Sequence, residues 1–531
     1  SVIDAPIVPT QYGPVQGFAT AQYKAWLGVP FAATTGGANR FMLPQPAQSW
    51  TAPFNATWWG PGCYQTHHNA DVPKVLSEDC LNLNVFIANN GSSASVDTPL
   101  PVMVFFYGGS FVEGSDQGPF FMYDGDYIAS DQPVIVVTAN YRLGGLGWVV
   151  TNDLKGNMGF QDQIFALQWV KKNIANFGGN PDDITLWGES AGAMSGGLHL
   201  VSPASNGLFN KLIMESNPSG MRYRDLSEAS LYGMDMCKIL GCTVSSGASC
   251  NTTCMQQAPV ATAADAWNKA TNDWIAIIFG NWEHWLDAFL STLPVIDGDL
   301  IPENPMVALP KGNFNKGIPV LFGTNNNEGS TFIYAAFEKP LPSFFFKFLT
   351  WGIFGEDNTN KIMEYYKNIT SINDMADGRT WFSRVITDYW FRCGSEVFAK
   401  AVTKAGSNAF VYRFDHVYND STLFSKFGLP AICSSRTCHA TELPMVFHFT
   451  HLTSSVANFT MTPTELALSQ SFVDYWTSFA IHGNPNTAAN NQPQWPEFAT
   501  ATRENIVLQD AITTENALEL CTFWDSIGYD Y

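Results

Sequence analysis

The chain contains 531 residues, of which 46% are hydrophobic and 14% aromatic, so it can bury a large core and is not predicted to be disordered. Its 27 lysine and arginine residues are outnumbered by 47 aspartate and glutamate residues, giving a formal net charge of -20 at pH 7. Because no basic cluster gathers enough charge to neutralise a phosphate backbone, we expect no nucleic-acid partner.

No Pro/Ser-rich linker, charge block or internal repeat divides the sequence, which predicts a single domain over residues 1–531 with long insertions. The segment from Ser1 to Pro9 lacks a signal-peptide pattern, so we expect that an exported protein has already lost its leader. The most apolar late segment, from Phe332 to Phe354, is interrupted by charged residues and prolines, and is not predicted to span a membrane.

Ten cysteines at local spacings predict several disulfides and therefore an oxidising compartment. Their spacings are not accompanied by histidines in zinc-site register, so no metal site is predicted. Glycosylation motifs also favour a secreted, extracellular protein. Their acceptor residues are Asn55, Asn90, Asn251, Asn368, Asn419 and Asn458.

Short apolar runs alternate with helical patterns, as is typical of buried parallel strands. The pattern from Phe160 to Phe177 places apolar side chains on one face of a helix, which Gly178 and Gly179 end. Strand, helix and strand in this order predict an α/β fold with a doubly wound, mostly parallel central sheet and helices on both faces. The predicted strands are Val102–Tyr107, Val134–Tyr141, Ile184–Trp187, Lys211–Met214, Val320–Gly323 and Ala409–Phe414.

The third strand leads directly into Gly188-Glu189-Ser190-Ala191-Gly192, a G-x-S-x-G sequence followed by a small-residue helix. Glycine at both ends allows a sharp strand-to-helix turn that exposes the serine hydroxyl. An isolated G-x-S-x-G is often only a glycine-rich turn, but the flanking strand and helix favour a nucleophile elbow. Ser190 is therefore the predicted nucleophile.

The sequence from Tyr107 to Phe111 also follows an apolar strand and contains two glycines. A tetrahedral intermediate requires backbone N–H donors for its negative oxygen. The amides of Gly109, Ser110 and Ala191 are the predicted oxyanion hole. An ordinary glycine turn is the alternative interpretation of the first two.

A serine nucleophile needs a histidine base and an acid that orients it, in the chain order Ser, acid, His. His439 is the predicted base because it lies in a loop late in the chain, after the last predicted strand. Glu328 is the predicted acid because it follows a strand at the same edge of the sheet, and Asp297 is its rival. Other histidines lack a third ligand at metal spacing and are predicted to be packed or solvated: His67, His68, His448 and His451.

Motifs spread over nearly the whole chain indicate which family the sequence resembles. They are Leu27–Phe31, the segment from Cys63 to Leu81, Tyr107–Phe111, Asn140–Gly144, Phe177–Pro181, Gly188–Gly192, Asn327–Gly329 and His439–Pro444. Together they resemble the type-B carboxylesterase/lipase family, which includes cholinesterases, fungal lipases and sterol esterases. The resemblance implies an α/β-hydrolase fold, a triad completed by Glu328 and a position for Ser216 near the histidine, behind the residues that react.

The resemblance also implies disulfides that join Cys63 to Cys80, Cys242 to Cys254 and Cys393 to Cys521. Pairing of Cys237 with Cys250 and of Cys433 with Cys438 then follows by elimination.

Departures from the family bear on the substrate. Ser110 stands where the family usually has a third glycine, which affects the geometry of the oxyanion donors. The segment from Cys63 to Cys80 lacks the tryptophan with which cholinesterases bind quaternary ammonium, so choline esters are disfavoured. Ala288 and Leu290 stand where cholinesterases have bulky aromatic residues, which indicates room for larger acyl groups.

The sequence therefore predicts a secreted carboxylesterase that acts on a small-molecule or lipid ester through an acyl-enzyme, with no metal or organic cofactor. A lipase or sterol esterase is the alternative within this chemistry, although the polar segment from Cys63 to Cys80 is a poor lipid-binding lid. A non-catalytic binding module is the alternative in another class, and the retained serine, acid and histidine argue against it.

Overall fold

The computed structural model describes residues 3–66, 73, 75–89, 98–244, 247, 249–272, 289–367, 377–453, 458–486 and 492–529. Most strands in these ranges join one large sheet, against which helices pack. Within the same ranges, we find no helix with the length and apolar character that crossing a membrane requires.

The described elements are numbered here in chain order. The strands β1 to β21 are Ile3–Pro9, Pro14–Ala19, Tyr23–Pro30, Phe54–Asn55, Gly62–Cys63, Leu76–Ser77, Asn82–Ala88, Leu100–Phe106, Ile135–Ala139, Gly179–Glu189, Lys211–Glu215, Arg224–Asp225, Thr243–Val244, Ser249–Cys250, Val295–Ile296, Val320–Asn325, Ala409–Phe414, His451–Thr453, Asn458–Thr460, Glu504–Leu508 and Thr513–Asn516. The helices α1 to α16 are Asp126–Asp131, Gly144–Trp148, Met158–Asn173, Ala191–Val201, Leu226–Ile239, Thr252–Gln257, Val260–Thr271, Pro305–Lys311, Glu328–Ala336, Ser343–Lys367, Gly378–Ile386, Cys393–Lys404, Thr422–Lys426, Leu443–Val446, Pro463–His482 and Leu518–Ile527. A π-helix over Thr387–Arg392 connects α11 to α12.

The large sheet has the strand order β1-β2-β3-β7-β9-β8-β10-β11-β16-β17-β20-β21, with β4 beside β2. The strands from β9 to β20 in this order are parallel. Antiparallel strands flank them on both sides. The sheet is therefore mostly parallel, as the alternation of apolar runs and helical patterns predicts.

The direction in which the chain crosses the sheet reverses beside β8. From β8 the chain moves to β9 on one side, then returns to β10 on the other side and continues to β11. Because crossovers between parallel strands are right-handed, helices on these two paths lie on opposite faces of the sheet. Such a reversal opens a crevice at the carboxyl ends of the strands, here Phe106 and Glu189.

All six predicted strands are confirmed, with ends that differ by a few residues. The largest difference is at β10, which begins at Gly179, five residues before the predicted start at Ile184. The predicted helix from Phe160 to Phe177 is α3 followed by a 3₁₀ turn over Ile174–Phe177, which ends at Gly178 with φ of 92°.

The antiparallel strands at the amino-terminal side of the sheet were missed by the sequence analysis. Along β2, buried and half-buried side chains alternate, so this strand shows no continuous apolar run of the kind that marks the central strands. Its place beside β1 and β3 depends on pairing with other segments, which a single run of residues does not reveal.

Five disulfides occur in the structure, and no free cysteine occurs among the described residues. Their sequence separations range from 5 residues for Cys433 and Cys438 to 128 residues for Cys393 and Cys521. The remaining bonds join Cys63 to Cys80, Cys237 to Cys250 and Cys242 to Cys254. These are the same pairs that the resemblance and elimination give.

The two disulfides at the extremes of loop length should differ in their contribution to stability. A disulfide restricts the unfolded chain more strongly when it closes a longer loop. We expect Cys393→Ser/Cys521→Ser to lower the free energy of unfolding by about 5 kcal/mol and Cys433→Ser/Cys438→Ser by about 2 kcal/mol. Urea unfolding of both double variants measures the difference, and an equal loss would contradict this account. The comparison is well matched because all four cysteines are buried.

Candidate active site

The turn between β10 and α4 holds Ser190 in a strained backbone conformation, with φ of 53° and ψ of -118°. A β-carbon at Gly192 would lie 1.8 Å from the carbonyl oxygen of Phe106, and one at Gly188 would lie 2.5 Å from the backbone of Gly192. Both positions therefore require glycine. The amide of Ser190 also donates to the carbonyl of Glu215 on the neighbouring β11, at 2.9 Å. The turn is thus held on two sides, and the serine projects from it.

The structure brings the three predicted side chains together. The distance from His439 Nε2 to Ser190 Oγ is 2.8 Å, and the distance from His439 Nδ1 to Glu328 Oε2 is 2.6 Å. Because an ionised carboxylate only accepts, Nδ1–H is the donor to Glu328, and Nε2 is left to accept the hydroxyl proton of Ser190. The imidazole therefore has the tautomer that a general base requires.

Glu328 is the first residue of α9 and lies three positions after Asn325, the last residue of β16. Its second carboxylate oxygen, Oε1, accepts the amide of Asn325 at 2.6 Å, and the side chain is fully buried. The loop of His439 is joined to this segment, since Asn325 Nδ2 donates to the carbonyl of Cys438 at 2.7 Å and Thr331 Oγ1 accepts the amide of His439 at 3.2 Å. Glu328 and His439 are therefore held together by hydrogen bonds between side chains and backbone as well as by their own side chains.

Aromatic rings enclose the imidazole of His439. The ring of Phe332 lies 5.1 Å from it and that of Phe391 lies 5.3 Å from it, between centroids. Phe391 belongs to the π-helix, which also supplies Thr387 Oγ1 as acceptor for the amide of Gly329, at 3.0 Å. The π-helix thus contacts both the histidine and the residue that follows the acid.

The predicted oxyanion donors lie beside Ser190. Within the described part of the chain, the amides of Gly109, Ser110 and Ala191 have no protein acceptor, so they can donate to a substrate. Gly109 and Ser110 line the same cavity as Ser190 and His439. Ala191 begins α4, whose amino end favours a negative charge.

The serine that replaces the third glycine is accommodated at Ser110, with φ of 55°. The position that must be glycine is instead Gly109, where φ is 110° and a β-carbon would lie 2.2 Å from the carbonyl oxygen of Glu113. The bend therefore accepts a β-carbon at 110 but none at 109.

Buried carboxylates lie behind the three side chains. Ser216 Oγ donates to Glu442 Oε1 at 3.0 Å, and Asn325 Nδ2 also donates to the Glu442 carboxylate. Burial, followed by the negative charge of Glu328, raises the pKa of Glu442 to about 7. Burial likewise raises the pKa of Glu215 well above its ordinary value, although Trp187 and Trp476 donate to it.

The hydroxyl of Ser216 donates to Glu442, which lies three residues after His439. Ser216 therefore lies near the histidine and contacts its loop through this glutamate. The sequence analysis did not identify Glu442 or Asn325 as part of the site. Glu442 does lie within the motif from His439 to Pro444. An acidic residue three positions after the predicted base was the signal in the sequence that could have identified it.

An open cavity borders Ser190 and His439. Its acidic members are Glu113 and Glu189, and no lysine or arginine occurs among the described residues that line it. Glu189 Oε1 lies 3.3 Å from His439 Nε2, so two carboxylates face the imidazole. Most of the remaining wall is apolar: Pro119, Met122, Phe332, Phe427, Leu429 and Leu443.

The other predicted candidates lie elsewhere or outside the described ranges. Asp297 accepts Asn157 Nδ2 at 3.0 Å and the amide of Ile301 at 2.9 Å, so its contacts are those of a structural loop. Leu290 is buried, and its carbonyl accepts Arg224 Nη2 at 3.2 Å. Ala288, His67, His68, Asn90 and Asn368 lie outside the described residues.

The remaining histidines show no metal-binding arrangement. His448 Nδ1 lies 2.8 Å from Ser469 Oγ and its ring stacks on Tyr127, while His451 is exposed. In the described part of the chain, no three His, Cys, Asp or Glu side chains are arranged to hold a metal ion.

Comparisons with known proteins decide the family. A model described as the carboxylesterase family matches residues 4–524. The chain belongs to this family. The cAMP-regulated D2 protein of Dictyostelium discoideum is 33% identical over 516 residues, covering 97% of this chain and 90% of that protein. Para-nitrobenzyl esterase of Bacillus subtilis (strain 168) is 32% identical over 526 residues, covering 96% of each.

Solved structures agree with this assignment. A PNB esterase structure has a TM-score of 0.77 to the chain at 31% identity, covering 97% of this chain and 98% of that chain. The predicted resemblance to the type-B family and the α/β-hydrolase fold are therefore confirmed. The chain is a carboxylic ester hydrolase of the carboxylesterase family.

The buried acid Glu442 should make stability depend on pH. Its pKa rises from 4.5 to about 7 on folding, so the folded state binds more protons than the unfolded state between these values. Stability that is present below about pH 4.5 is therefore lost as the pH rises to about 7, by up to about 3 kcal/mol. Glu442→Gln stays neutral, so its stability relative to wild type should increase over this interval.

Urea midpoints at pH 4.5, 6 and 7.5 measure this dependence. Glu504→Gln, which removes one exposed carboxylate, controls for the change in net charge. A constant difference between Glu442→Gln and wild type at all three pH values would contradict the raised pKa.

Proposed function

We propose that this enzyme is a secreted carboxylesterase in which Ser190, His439 and Glu328 form the catalytic triad. The observation that carries the proposal is the continuous hydrogen-bonded chain from Ser190 Oγ through both imidazole nitrogens to Glu328. A non-catalytic binding module has no chemical need for this arrangement beside an open cavity. One domain over residues 1–531 is part of the proposal, and the family match over residues 4–524 supports it.

The reaction proceeds through two acyl transfers. Ser190 Oγ attacks the ester carbonyl while His439 Nε2 takes its proton, and the carbonyl oxygen becomes negative beside the amides of Gly109, Ser110 and Ala191. The imidazolium then gives its proton to the leaving alcohol, which leaves an acyl-enzyme. Water, deprotonated by the same nitrogen, releases the carboxylic acid. Glu328 keeps the imidazole oriented and stabilises its positive charge throughout.

The cavity supports neutral esters of small to medium size as substrates. Its apolar wall favours burial of alkyl or aryl groups, and none of its described lining residues is a lysine or arginine that could bind an anionic substrate. The name of para-nitrobenzyl esterase, a relative with 32% identity, is consistent with an aromatic ester as a convenient probe. A lipase or sterol esterase acting on longer lipid esters is the alternative that a substrate panel must test.

Secretion is supported by the five disulfides, which persist in an oxidising compartment. Four glycosylation acceptors lie in the described ranges, and all are exposed, as a glycan requires. These are Asn55, Asn251, Asn419 and Asn458.

Replacing the nucleophile tests the triad. We expect Ser190→Ala to lower kcat for p-nitrophenyl acetate by about a millionfold, because no other group in the triad can form the acyl-enzyme. Steady-state hydrolysis with an active-site titration measures this loss, and circular dichroism checks the fold. Ser195→Ala, which changes a buried serine one turn further along α4, is the matched control. Equal activity of Ser190→Ala and wild type would end the proposal.

A chain-length panel tests the substrate class. With p-nitrophenyl acetate, butyrate and palmitate, we expect kcat/KM to be highest for one of the two short esters, since the open cavity beside Ser190 is bounded by the residues that line it. The palmitate assay is run both in solution and on detergent-dispersed substrate. A strong preference for palmitate would instead support the lipase alternative.

A further inference from the structure

Gln65 connects the segment closed by the Cys63–Cys80 disulfide to the loop that carries the oxyanion donors. Its side chain is 4% exposed. Gln65 Nε2 donates to the carbonyl of Gly114 at 2.9 Å, and Gln65 Oε1 accepts the amide of Gly114 at 2.9 Å. Nε2 also donates to the carbonyl of Cys63 at 3.0 Å. One side chain therefore satisfies both backbone groups of Gly114, as a neighbouring strand would.

Gly114 ends the tight turn that orients Ser110. The carbonyl of Gly109 accepts the amides of Val112 at 3.0 Å and Glu113 at 3.1 Å, so its direction is fixed from within the turn. Because the peptide unit is planar and trans, the N–H of Ser110 points opposite to that carbonyl. Whatever holds the end of the turn in place therefore also sets the direction of the Ser110 donor.

The turn needs external support because it is strained. Ser110 and Phe111 are consecutive non-glycine residues with φ of 55° and 61°. Such residues are strained and persist only where the surrounding structure enforces their conformation. The sheet side supplies support through the amide of Gly144, which donates to the carbonyl of Phe111 at 2.7 Å. Gln65 supplies support at Gly114 from the segment of Cys63 and Cys80.

We propose that Gln65 is a positioning residue for the oxyanion hole, held in place by the Cys63–Cys80 disulfide. It does not touch the substrate and acts by fixing the turn from Gly109 to Gly114. The inference rests on the proposed triad and oxyanion hole and deepens them. Its consequence is that a residue of the disulfide-closed segment controls stabilisation of the transition state, while substrate binding is left largely unchanged.

Gln117 provides a matched control. It is also buried, at 7% exposure, and its Nε2 donates to the carbonyl of Gly60 at 2.7 Å, so it joins the same two regions of the chain. It lies beyond Asp116, however, whose amide donates to Asn140 Oδ1 at 3.0 Å and fixes the chain before Gln117 is reached. A purely structural role would make the two glutamines equivalent.

The experiment compares Gln65→Met with Gln117→Met, because methionine keeps the volume of glutamine but cannot form these hydrogen bonds. We expect Gln65→Met to lower kcat for p-nitrophenyl acetate by about 10- to 100-fold, the loss typical of a displaced catalytic group, with KM changed by less than about twofold. Its affinity for a trifluoromethyl ketone, whose serine adduct carries an anionic oxygen, should fall by a similar factor. Gln117→Met should leave kcat within about twofold of wild type.

Additional variants distinguish a failure of this inference from a failure of the proposed function. In a Cys63→Ser/Cys80→Ser background, adding Gln65→Met should lower kcat by less than about threefold, because the support is already weakened. Equal kcat for Gln65→Met, Gln117→Met and wild type would overturn the inference about Gln65. The proposed triad would still stand in that case if Ser190→Ala is inactive. If Gln65→Met loses kcat and ketone affinity to the same extent as Gln117→Met, the role is structural and the inference is again overturned. An active Ser190→Ala would instead overturn the triad itself.

Discussion

The close approach of α4 to the end of β8 is the constraint on which the site depends. The backbone at Gly192 lies so near the carbonyl of Phe106 that no β-carbon fits between them. This contact holds the first turn of a helix beside the strand whose following loop carries Gly109 and Ser110. Ser190 and the amides of Gly109 and Ser110 therefore meet because two parallel strands end side by side where the order of the sheet reverses. Glu328 and His439 follow later strands that end at the same edge of the sheet.

Some parts of this arrangement can be predicted from short stretches of sequence. The turn at Ser190 is predictable because glycines, a flanking strand and a small-residue helix express a local steric requirement within a few residues. The choice of Glu328 and His439 needed the chain order of the fold and the family resemblance as well. Most of the central strands are predictable because they are buried on both faces and show as continuous apolar runs.

Other parts depend on contacts between distant segments and leave no local pattern. Gln65 reaches Gly114 across 49 positions, and Ser216 reaches Glu442 across 226. A glutamine two residues after a cysteine looks like any loop residue, and the place of Glu442 in the motif from His439 to Pro444 does not reveal that Ser216 is its partner. Strand β2 was missed for a related reason, since its half-buried pattern acquires meaning only when its partners are known.

The π-helix over Thr387–Arg392 has a consequence for how this chain can vary. Its wide turn accommodates an additional residue relative to regular α-helical winding, and it presents Thr387 to Gly329 and Phe391 to the imidazole. Deleting one residue there would restore ordinary winding and rotate one of these side chains by about 100° relative to the other, the angle per residue of an α-helix. Length variation among natural or engineered relatives should therefore be tolerated in outer loops and selected against in this segment.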